Sequence, residues 1–363
     1  MEDFKHKHII FVGLGMLFAL IMVFGINILF EEQNRSVHAQ PIAVGLIITP
    51  SGLEDLSFNW MSYQGLLRAE NELGVVGTVY TTTSDADYDI SLQKCLADNN
   101  GLCIAVGCAL MGATLNAAQT YPETAFAIVD VSYDSYPSNL RGLIFASSEA
   151  SYLAGVLAGQ MTKSNLIAAI GGMPIPTVNE YIFGYQTGAQ CVNPNVQVVI
   201  TYTNDFANPT LGAQVSQDLI QQGVDVILSA AGGSGTGALL TASLLGSWVI
   251  GVDSDQFVSV FISGTIPGSE KILTSAVKHI DLAVYQTVAD VVEGTFTSGT
   301  RFYTLADGGV GLAPFHKTEA SIPVHVKTDI EMTKQGILSG LIDPFESCGR
   351  YIYLPCMVKE MGP

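Results

Sequence analysis

Hydrophobic positions along this chain alternate between short, continuously apolar runs and longer stretches with helical spacing. The first apolar run covers residues 42–48, and apolar residues then recur at helical spacing over residues 58–73 until Gly74. Continuous apolar runs are typical of strands that are buried on both faces of a parallel sheet. Repeated strand–helix units of this kind predict an α/β protein.

The alternation occurs twice along the chain. In the first series we predict strands at residues 42–48, 75–80, 102–106, 126–130 and 143–145, and helices at 58–73, 88–99 and 148–161, with one more helix after the third strand. In the second series we predict strands at residues 166–170, 196–202, 224–228 and 248–252, and helices at 179–191, 209–222 and 237–245. We expect a strand end at residue 273 to lead into a long helix, residues 302–312 to form a hairpin, and residues 330–339 to form a last helix.

The two series predict two similar lobes, each a doubly wound parallel sheet, with a ligand cleft between them. We assign residues 41–146 and 275–344 to lobe 1 and residues 147–274 to lobe 2. A cysteine-containing tail follows at residues 345–363.

Residues 1–40 form a separate segment. Residues 9–30 are apolar except for Asn27, and as a helix they would span roughly 33 Å, which is enough to cross a bilayer. Val37 and Ala39 fit the −3 and −1 positions of a signal-peptidase site. We therefore expect an N-terminal membrane anchor, favoured by the length of the run, or a cleaved signal segment. Either one places the remaining chain outside the cytoplasm.

Composition narrows the classes of partner. The net charge of −18 argues against binding to nucleic acid, because the chain lacks the surplus of cations that would neutralise phosphates. It also argues against docking on anionic lipid headgroups, so we expect contact with the membrane only through the N-terminal helix.

Six cysteines fit a compartment outside the cytoplasm. No pair has C-x-x-C spacing, so we expect neither a zinc site nor a redox motif. Cys348 and Cys356 flank a short segment of the tail, and we expect a disulfide between them. A pair among Cys95, Cys103 and Cys108 is the weaker expectation.

Common catalytic motifs are absent from the sequence. It contains no P-loop, no G-x-S-x-G elbow and no pair of histidines at zinc-binding spacing. The glycine-rich run at residues 232–237 lacks the spacing of a dinucleotide fingerprint. Amides there at a helix start can hold hydroxyls or an anion, and the alternative is a tight turn that requires glycine. We expect a binding protein and not an enzyme, with no metal and no cofactor.

Carboxylates close two of the predicted apolar strands, at the sheet edge where open α/β sheets bind ligands. Asp130 ends the strand at residues 126–130, and Asp253 follows the strand at residues 248–252. A carboxylate at either place can accept hydrogen bonds from the N–H groups of a base or from vicinal hydroxyls. The alternative is a solvated aspartate at the end of a strand.

Aromatic, amide and amino groups accompany these carboxylates. Phe58 and Asn59 begin a helix after the first strand, and we expect Asp55 or Ser57 to cap that helix. Phe206 follows a strand of the second series, so one ring from each lobe can sandwich a planar base. Lys278 can donate to a ligand. The structural alternatives are a core contact for each ring and a solvated helical lysine.

The chain resembles the basic membrane protein family, the purine-nucleoside-binding lipoproteins of ABC-type importers. The segments that carry the resemblance are residues 54–59 (EDLSFN) with Gly65, residues 126–130 (FAIVD), residues 149–159, residues 170–176 (IGGMPIP) with Gly184 and Gly188, and residues 250–256 (IGVDSDQ) with Ser275 and Lys278. The resemblance covers about residues 42 to 341, and the segment at 250–256 is the most specific.

The resemblance implies a type I periplasmic-binding-protein fold whose two lobes are joined by three crossovers. It implies that guanosine, inosine or adenosine binds in the cleft and is passed to an ABC permease and its ATPase. On the matching positions, Phe58 and Phe206 would stack on the base, and Asn59 and Asp130 would read its edge. The ribose would be held by Asp253, Lys278 and the loop at Gly232.

The chain departs from the family pattern in the segment before residue 41, where an apolar run replaces the lipidated cysteine, and in its tail. Two other functions therefore stay open at this point. One is a nucleoside-processing enzyme that resembles an N-ribohydrolase, although residues 41–60 carry only Glu54 and Asp55 as acidic groups. The other is a membrane-anchored nucleoside sensor.

Overall fold

Each half of the protein is built around one six-stranded sheet. The computed structural model of the chain describes residues 41–346. The first sheet contains β1 (Ala43–Ile48), β2 (Val76–Thr81), β3 (Leu102–Val106), β4 (Ala125–Val129), β5 (Leu140–Phe145) and, from late in the chain, β11 (Gly299–Tyr303). The second sheet contains β6 (Leu166–Gly171), β7 (Gln197–Tyr202), β8 (Val226–Ala230), β9 (Trp248–Asp253), β10 (Ile272–Lys278) and β12 (Val310–Leu312).

The two sheets have the same strand order. The order is β11-β5-β4-β3-β1-β2 in lobe 1 and β12-β10-β9-β8-β6-β7 in lobe 2. Neighbouring strands are parallel, except that β12 runs antiparallel to β10. This is the doubly wound order in which ligands bind at the carboxyl ends of the strands, and it confirms the predicted α/β class.

Helices cover the faces of both sheets. In chain order they are α1 (Phe58–Leu73), α2 (Tyr88–Ala97), α3 (Met111–Thr120), α4 (Ser147–Met161), α5 (Pro176–Val192), α6 (Pro209–Gln221), α7 (Gly232–Leu244), α8 (Gln256–Ser259), α9 (Ile280–Val292) and α10 (Val324–Leu338). Short 3-10 helices occur at Leu53–Asp55, Asp85–Asp87, Cys108–Leu110 and His316–Ser321.

Apolar clusters lie on both faces of each sheet because successive strand residues point to opposite sides. Leu46 of β1 lies in a large cluster that continues from lobe 1 into lobe 2, whereas Ile47 lies in a separate cluster beneath α2 and α3. Ala169 of β6 joins the large cluster, and Ile170 lies in a third cluster on the other side of the second sheet. This two-sided burial explains why the strand sequences are apolar without alternation.

Glycines allow two helices of lobe 2 to touch along their backbones. A Cβ on Gly155 of α4 would lie 2.1 Å from the carbonyl oxygen of Tyr185, and one on Gly188 of α5 would lie 2.1 Å from that of Tyr152. No side chain larger than hydrogen fits at either position. This close contact with α5 holds α4, the helix that follows β5, in lobe 2.

The chain passes from one lobe to the other at three places within the described residues. These are the connections from β5 to α4, from β10 to α9 and from β11 to β12. The predicted assignment of residues 275–344 to lobe 1 is therefore correct only for α9 and β11. β10 pairs with β9, β12 pairs with β10, and α10 packs against α4 in lobe 2.

The predicted hairpin at residues 302–312 is wrong for the same reason. β11 pairs with β5 in the first sheet, and β12 pairs with β10 in the second. The turn between them crosses the lobes and is held by the bond from the His279 amide to the Gly309 carbonyl, 2.9 Å. Two apolar runs separated by glycines have the local sequence pattern of a hairpin, but this pattern does not determine which sheet each strand joins.

A disulfide joins Cys95 of α2 to Cys103 of β3, and both residues are fully buried in lobe 1. This pair had been the weaker expectation. The expected pair, Cys348 and Cys356, lies outside the described residues. Cys108 is a half-buried free thiol. No helix within residues 41–346 is long and apolar enough to cross a membrane, and the predicted membrane segment at residues 9–30 lies outside that range.

We predict that replacing both Cys95 and Cys103 by alanine lowers the free energy of unfolding by about 2–3 kcal/mol, because the bond closes a loop with a sequence separation of 8. Denaturant unfolding measures this change. Cys108→Ala, which leaves the bond intact, is the control and should stay within about 1 kcal/mol of the wild type. Equal stability of the wild type before and after reduction with a thiol would contradict the prediction.

Candidate ligand site between the lobes

A cavity of about 330 Å³ lies between the carboxyl ends of the two sheets. Lobe 1 contributes residues that follow β1, β2, β3 and β4, and lobe 2 contributes residues at or after the ends of β6, β7, β8, β9 and β10. The lining includes Thr49, Asp55, Phe58, Tyr88, Cys108, Asp130, Met173, Tyr181, Phe206, Gly232, Asp253 and Lys278. A largely apolar wall with a few convergent polar groups is typical of a site for a small molecule.

Asp130 and Asp253 occupy equivalent places in the two lobes. Asp130 directly follows β4, and Asp253 ends β9, which holds the same position in the second sheet. Both have left-handed backbones, with φ of 65° and 61°. This conformation is uncommon outside glycine, although aspartate tolerates it better than most residues. The sharp turn at each strand end places a carboxyl group on the cavity in both lobes.

Lys278 connects these two carboxyl groups across the lobes. Its side chain is only 2% exposed, and its Nζ lies 2.7 Å from Asp130 Oδ2 and 4.0 Å from Asp253 Oδ1. The ammonium also lies 5.1 Å from the centre of the Phe58 ring. Burial disfavours the charged amine, but the two aspartates outweigh it and raise the pKa of Lys278 above its usual value. Lys278 is therefore a buried cation with a charged partner from each lobe and is not a solvated lysine.

Asp253 already accepts hydrogen bonds from both lobes. Ser57 Oγ of lobe 1 donates to Asp253 Oδ2 at 2.6 Å, and the Tyr181 hydroxyl of lobe 2 donates to Oδ1 at 3.0 Å. Since a carboxylate offers about four lone-pair sites, Asp253 keeps capacity for hydroxyl groups of a ligand. Sequence reasoning missed Tyr181. The signal for it was positional, because α5 follows the first strand of lobe 2 as α1 follows that of lobe 1.

Asp55 is the cap of α1. Its side chain accepts the backbone N–H groups of Ser57, Asn59 and Trp60 at 2.8–3.1 Å, whereas Ser57 makes no capping bond. Burial raises the pKa of Asp55 to about 7, the three N–H donors oppose that rise, and the nearby Asp253 adds to it. The carboxyl group that orders the start of α1 is thus held in an environment that favours its neutral form.

Asn59 does not reach the cavity, contrary to the prediction that it reads the edge of a base. Its side chain is 1% exposed, and its amide donates to Thr49 Oγ1 at 2.9 Å and to the Gly52 carbonyl at 3.1 Å. Its Oδ1 accepts from the Thr49 amide. Both ends of the amide are therefore used to hold the loop between β1 and α1. The Asn59 side chain thus contacts the loop and not the cavity.

The two predicted aromatic rings line the cavity from opposite lobes, and both are half-buried. Each ring lies beside a glycine at a strand end. A Cβ on Gly107 would lie 3.4 Å from Phe58, and a Cβ on Gly172 would lie 2.0 Å from Phe206. Gly172 must therefore lack a side chain for Phe206 to occupy its place, and sequence reasoning did not assign it this role.

The glycine-rich run is helical and not a loop. The helix α7 begins at Gly232, which has φ of 54°, and not at residue 237 as predicted. The reason is tertiary packing, because a Cβ on Gly237 would lie 2.0 Å from the Pro209 carbonyl oxygen of α6. Gly232 lines the cavity, and the Ser234 amide donates to the Phe206 carbonyl at 3.2 Å. The first turn of α7 thereby fixes the loop that carries Phe206.

A larger groove of about 590 Å³ lies on lobe 2 between β12 and α10. Two of its charged groups, Glu319 and Lys327, pair with each other at the surface. Within residues 41–346, no three His, Cys, Asp or Glu side chains lie close enough to hold a metal ion. We regard the cleft as the candidate site because it gathers buried charges and aromatic rings from both lobes.

Comparisons with known proteins agree with the two-lobed cleft. Residues 42–339 match the family model described as "ABC transporter substrate-binding protein PnrA-like". A Listeria innocua protein named "CD4+ T-cell-stimulating antigen" is 31% identical over 91% of this chain and 96% of its own length. The Lactococcus lactis "ABC transporter nucleoside-binding protein BmpA" is 31% identical over 83% of this chain and 88% of its own length.

Solved structures show the same fold. An ABC transporter solute-binding protein from Aeropyrum pernix K1 has a TM-score of 0.76 and 27% identity, with coverage of 88% of this chain and 97% of that one. This chain therefore belongs to the PnrA-like family of ABC transporter substrate-binding proteins, which includes the basic membrane proteins. It has the type I periplasmic-binding-protein fold.

We predict that Asp55→Asn changes how stability depends on pH. Because the pKa of Asp55 in the folded protein, about 7, lies above its usual 3.8, the folded state takes up a proton between these values. The wild type should therefore be most stable relative to the variant below about pH 4 and should lose on the order of 4 kcal/mol of that advantage as the pH rises to 7 and above. Denaturant unfolding at pH 4 to 8 measures the difference.

Asp87→Asn is the control for this experiment. Bonds from Thr83 hold the pKa of Asp87 below its usual 3.8, so the stability that Asp87 contributes is lost only as the pH falls below about 4. The stability difference between the wild type and Asp87→Asn should therefore change little from pH 4 to 8. If the stability difference between the wild type and Asp55→Asn were constant from pH 4 to 8, the assigned environment of Asp55 would be wrong.

Proposed function

We propose that this member of the PnrA-like family binds a purine nucleoside in the cleft, outside the cytoplasm, and delivers it to an ABC permease and its ATPase. The observation that carries the proposal is the pairing of one aromatic ring from each lobe with carboxyl groups at equivalent strand ends. The name of the Lactococcus lactis relative adds support for a nucleoside.

The flat base would bind between Phe58 and Phe206. Both rings line the cavity, one from each lobe, and both are held by neighbouring glycines and loops. Stacking of a base on an aromatic ring contributes ~1–3 kcal/mol and tolerates any purine. Asp130 would accept the N–H groups of the base edge through Oδ1, because Lys278 occupies Oδ2. Guanosine, inosine and adenosine each carry an exocyclic amino group, a ring N–H or both, and either group can donate to a carboxylate.

The ribose would bind at Asp253, near Lys278 and Gly232. Asp253 has lone pairs beyond those used by Ser57 and Tyr181, so it can accept from vicinal hydroxyls. Lys278 has donors to spare, because an ammonium carries three N–H groups. These contacts would hold the hydroxyl groups of the sugar.

The charge of the cavity favours a neutral ligand. Four aspartates line it together with the ammonium of Lys278, namely Asp55, Asp130, Asp205 and Asp253. Carboxylates outnumber the ammonium even when Asp55 is in its neutral form. A phosphate brought into this enclosed space would meet repulsion that water screens poorly. We therefore propose a nucleoside and not a nucleotide as the substrate.

The alternatives to transport are chemical conversion of the ligand and sensing of the ligand. A hydrolase of the N-ribohydrolase type would release a free base and ribose, and a sensor would bind the nucleoside without a transporter. Membership in a substrate-binding family favours the transport role over both. Analysis of the nucleoside after long incubation distinguishes the enzyme, because a binding protein returns the nucleoside unchanged.

We predict that guanosine, inosine or adenosine raises the unfolding temperature of the purified protein. At a ligand concentration about 100 times the Kd, binding to the folded state adds ~2.7 kcal/mol, which corresponds to several degrees. Guanosine monophosphate and free ribose are the controls and should give less than about one degree. A shift with the nucleotide as large as that with the nucleoside would contradict the charge argument, and no shift with any purine nucleoside would contradict the proposed function.

We predict that Phe206→Ala weakens nucleoside binding by about 10- to 100-fold, because it removes one stacking surface of ~1–3 kcal/mol. Isothermal titration measures the Kd. Phe302→Ala is the matched control, since the Phe302 ring is 63% exposed on β11 and does not line the cavity. Equal affinities of the two variants would show that Phe206 does not contact the ligand.

A further inference from the structure

A short segment of lobe 1, residues 53–57, lies against lobe 2 and is gripped there by hydroxyl groups. The segment connects β1 to α1 and is called here the latch segment. The carbonyl oxygen of Leu56 lies 2.8 Å from Ser254 Oγ and 2.9 Å from Ser259 Oγ, both of lobe 2. The two hydroxyls lie 2.9 Å from each other. Because each hydroxyl carries one proton, at least one of them donates to Leu56 in any arrangement.

The residues on either side of Leu56 also form hydrogen bonds to lobe 2. Thr236 Oγ1 of α7 donates to the Asp55 carbonyl oxygen at 3.1 Å. Ser57 Oγ donates to the carboxylate of Asp253 at 2.6 Å. Three successive residues of the latch segment therefore bond to three different places in lobe 2, namely α7, the end of β9 and α8.

The latch segment is not a free loop. Leu56 has a left-handed backbone with φ of 52°, which an ordinary loop would avoid. The Asp55 side chain fixes the segment to the start of α1 through the three N–H bonds described above. Separation of the lobes would therefore carry the segment away with α1 and break the contacts to lobe 2 together.

We propose that the latch segment holds the closed lobes together, and that the hydroxyl groups of Thr236, Ser254 and Ser259 set how long a ligand stays in the cleft. These hydroxyls bond to backbone carbonyls and not to the cavity, so they are positioning residues. They line no part of the cavity. A contact that exists only in the closed form shifts the population toward that form and slows release, while the encounter with the ligand is unaffected.

The test compares Thr236→Val, Ser254→Ala, Ser259→Ala and the triple variant with the wild type. Valine keeps the shape of threonine and removes its donor. The proposal rests on the proposed function for the choice of guanosine as the ligand, whose dissociation is followed by stopped flow. Since a neutral hydrogen bond contributes modestly, each single variant should release guanosine about 2- to 10-fold faster, and the triple variant on the order of 10- to 100-fold faster. The association rate should change less than about twofold.

Ser216→Ala is the matched control, because Ser216 is a fully buried serine of lobe 2 whose hydroxyl donates within its own helix to the Ala213 carbonyl. Its release rate should stay within about twofold of the wild type. A second readout needs no ligand: small-angle X-ray scattering should give a larger radius of gyration for the triple variant than for the wild type.

The two readouts separate the two proposals. If no nucleoside binds but the ligand-free triple variant has a larger radius of gyration than the wild type, the proposed function is wrong, and the proposal that the latch segment holds the lobes together is supported. If guanosine binds and the triple variant releases it no faster than Ser216→Ala does, the latch is overturned. The latch is equally overturned if no nucleoside binds and the scattering of the triple variant matches that of the wild type.

Discussion

The buried ammonium of Lys278 is the interaction on which the rest of the cleft depends. It lies at the carboxyl end of β10 in lobe 2 and bonds to Asp130 of lobe 1. A lysine without a charged partner would be deprotonated or expelled from so dry a place. The pair with Asp130, and Asp253 at 4.0 Å, are therefore what allow three charged groups to share one apolar cavity. The same contact joins the two lobes and sets the electrostatics of the cavity.

The site uses the same structural device in both lobes. Equivalent strands, β4 and β9, each end at an aspartate with a left-handed backbone, and each lobe sets one aromatic ring beside a strand-end glycine. The lobes differ in the connection between strand and helix. In lobe 1 the segment after β1 reaches across to lobe 2, and Asp55 and Asn59 fix its shape through backbone bonds. The cavity therefore has one wall from each lobe, and the segment after β1 links the two lobes by hydrogen bonds.

Much of this could be predicted from the sequence, because continuous apolar runs and helical spacing are local properties. Helix α1 and strand β3 have the predicted bounds, and the aspartates at the strand ends lie on the cavity as expected. The wrong predictions occur where a contact with a residue distant in sequence determines the structure. The sheet that β10 joins is set by its pairing with β9, and the start of α7 is set by contact of Gly237 with α6. Asn59 was misassigned because Thr49 and Gly52 use both ends of its amide.

A crystal structure of the protein with bound guanosine tests the central claim most directly. The account predicts the purine between the rings of Phe58 and Phe206, with ribose hydroxyls within hydrogen-bond distance of Asp253 and the Lys278–Asp130 pair intact. A ligand in the groove between β12 and α10, or phenyl rings packed against each other with no ligand between the lobes, would contradict it.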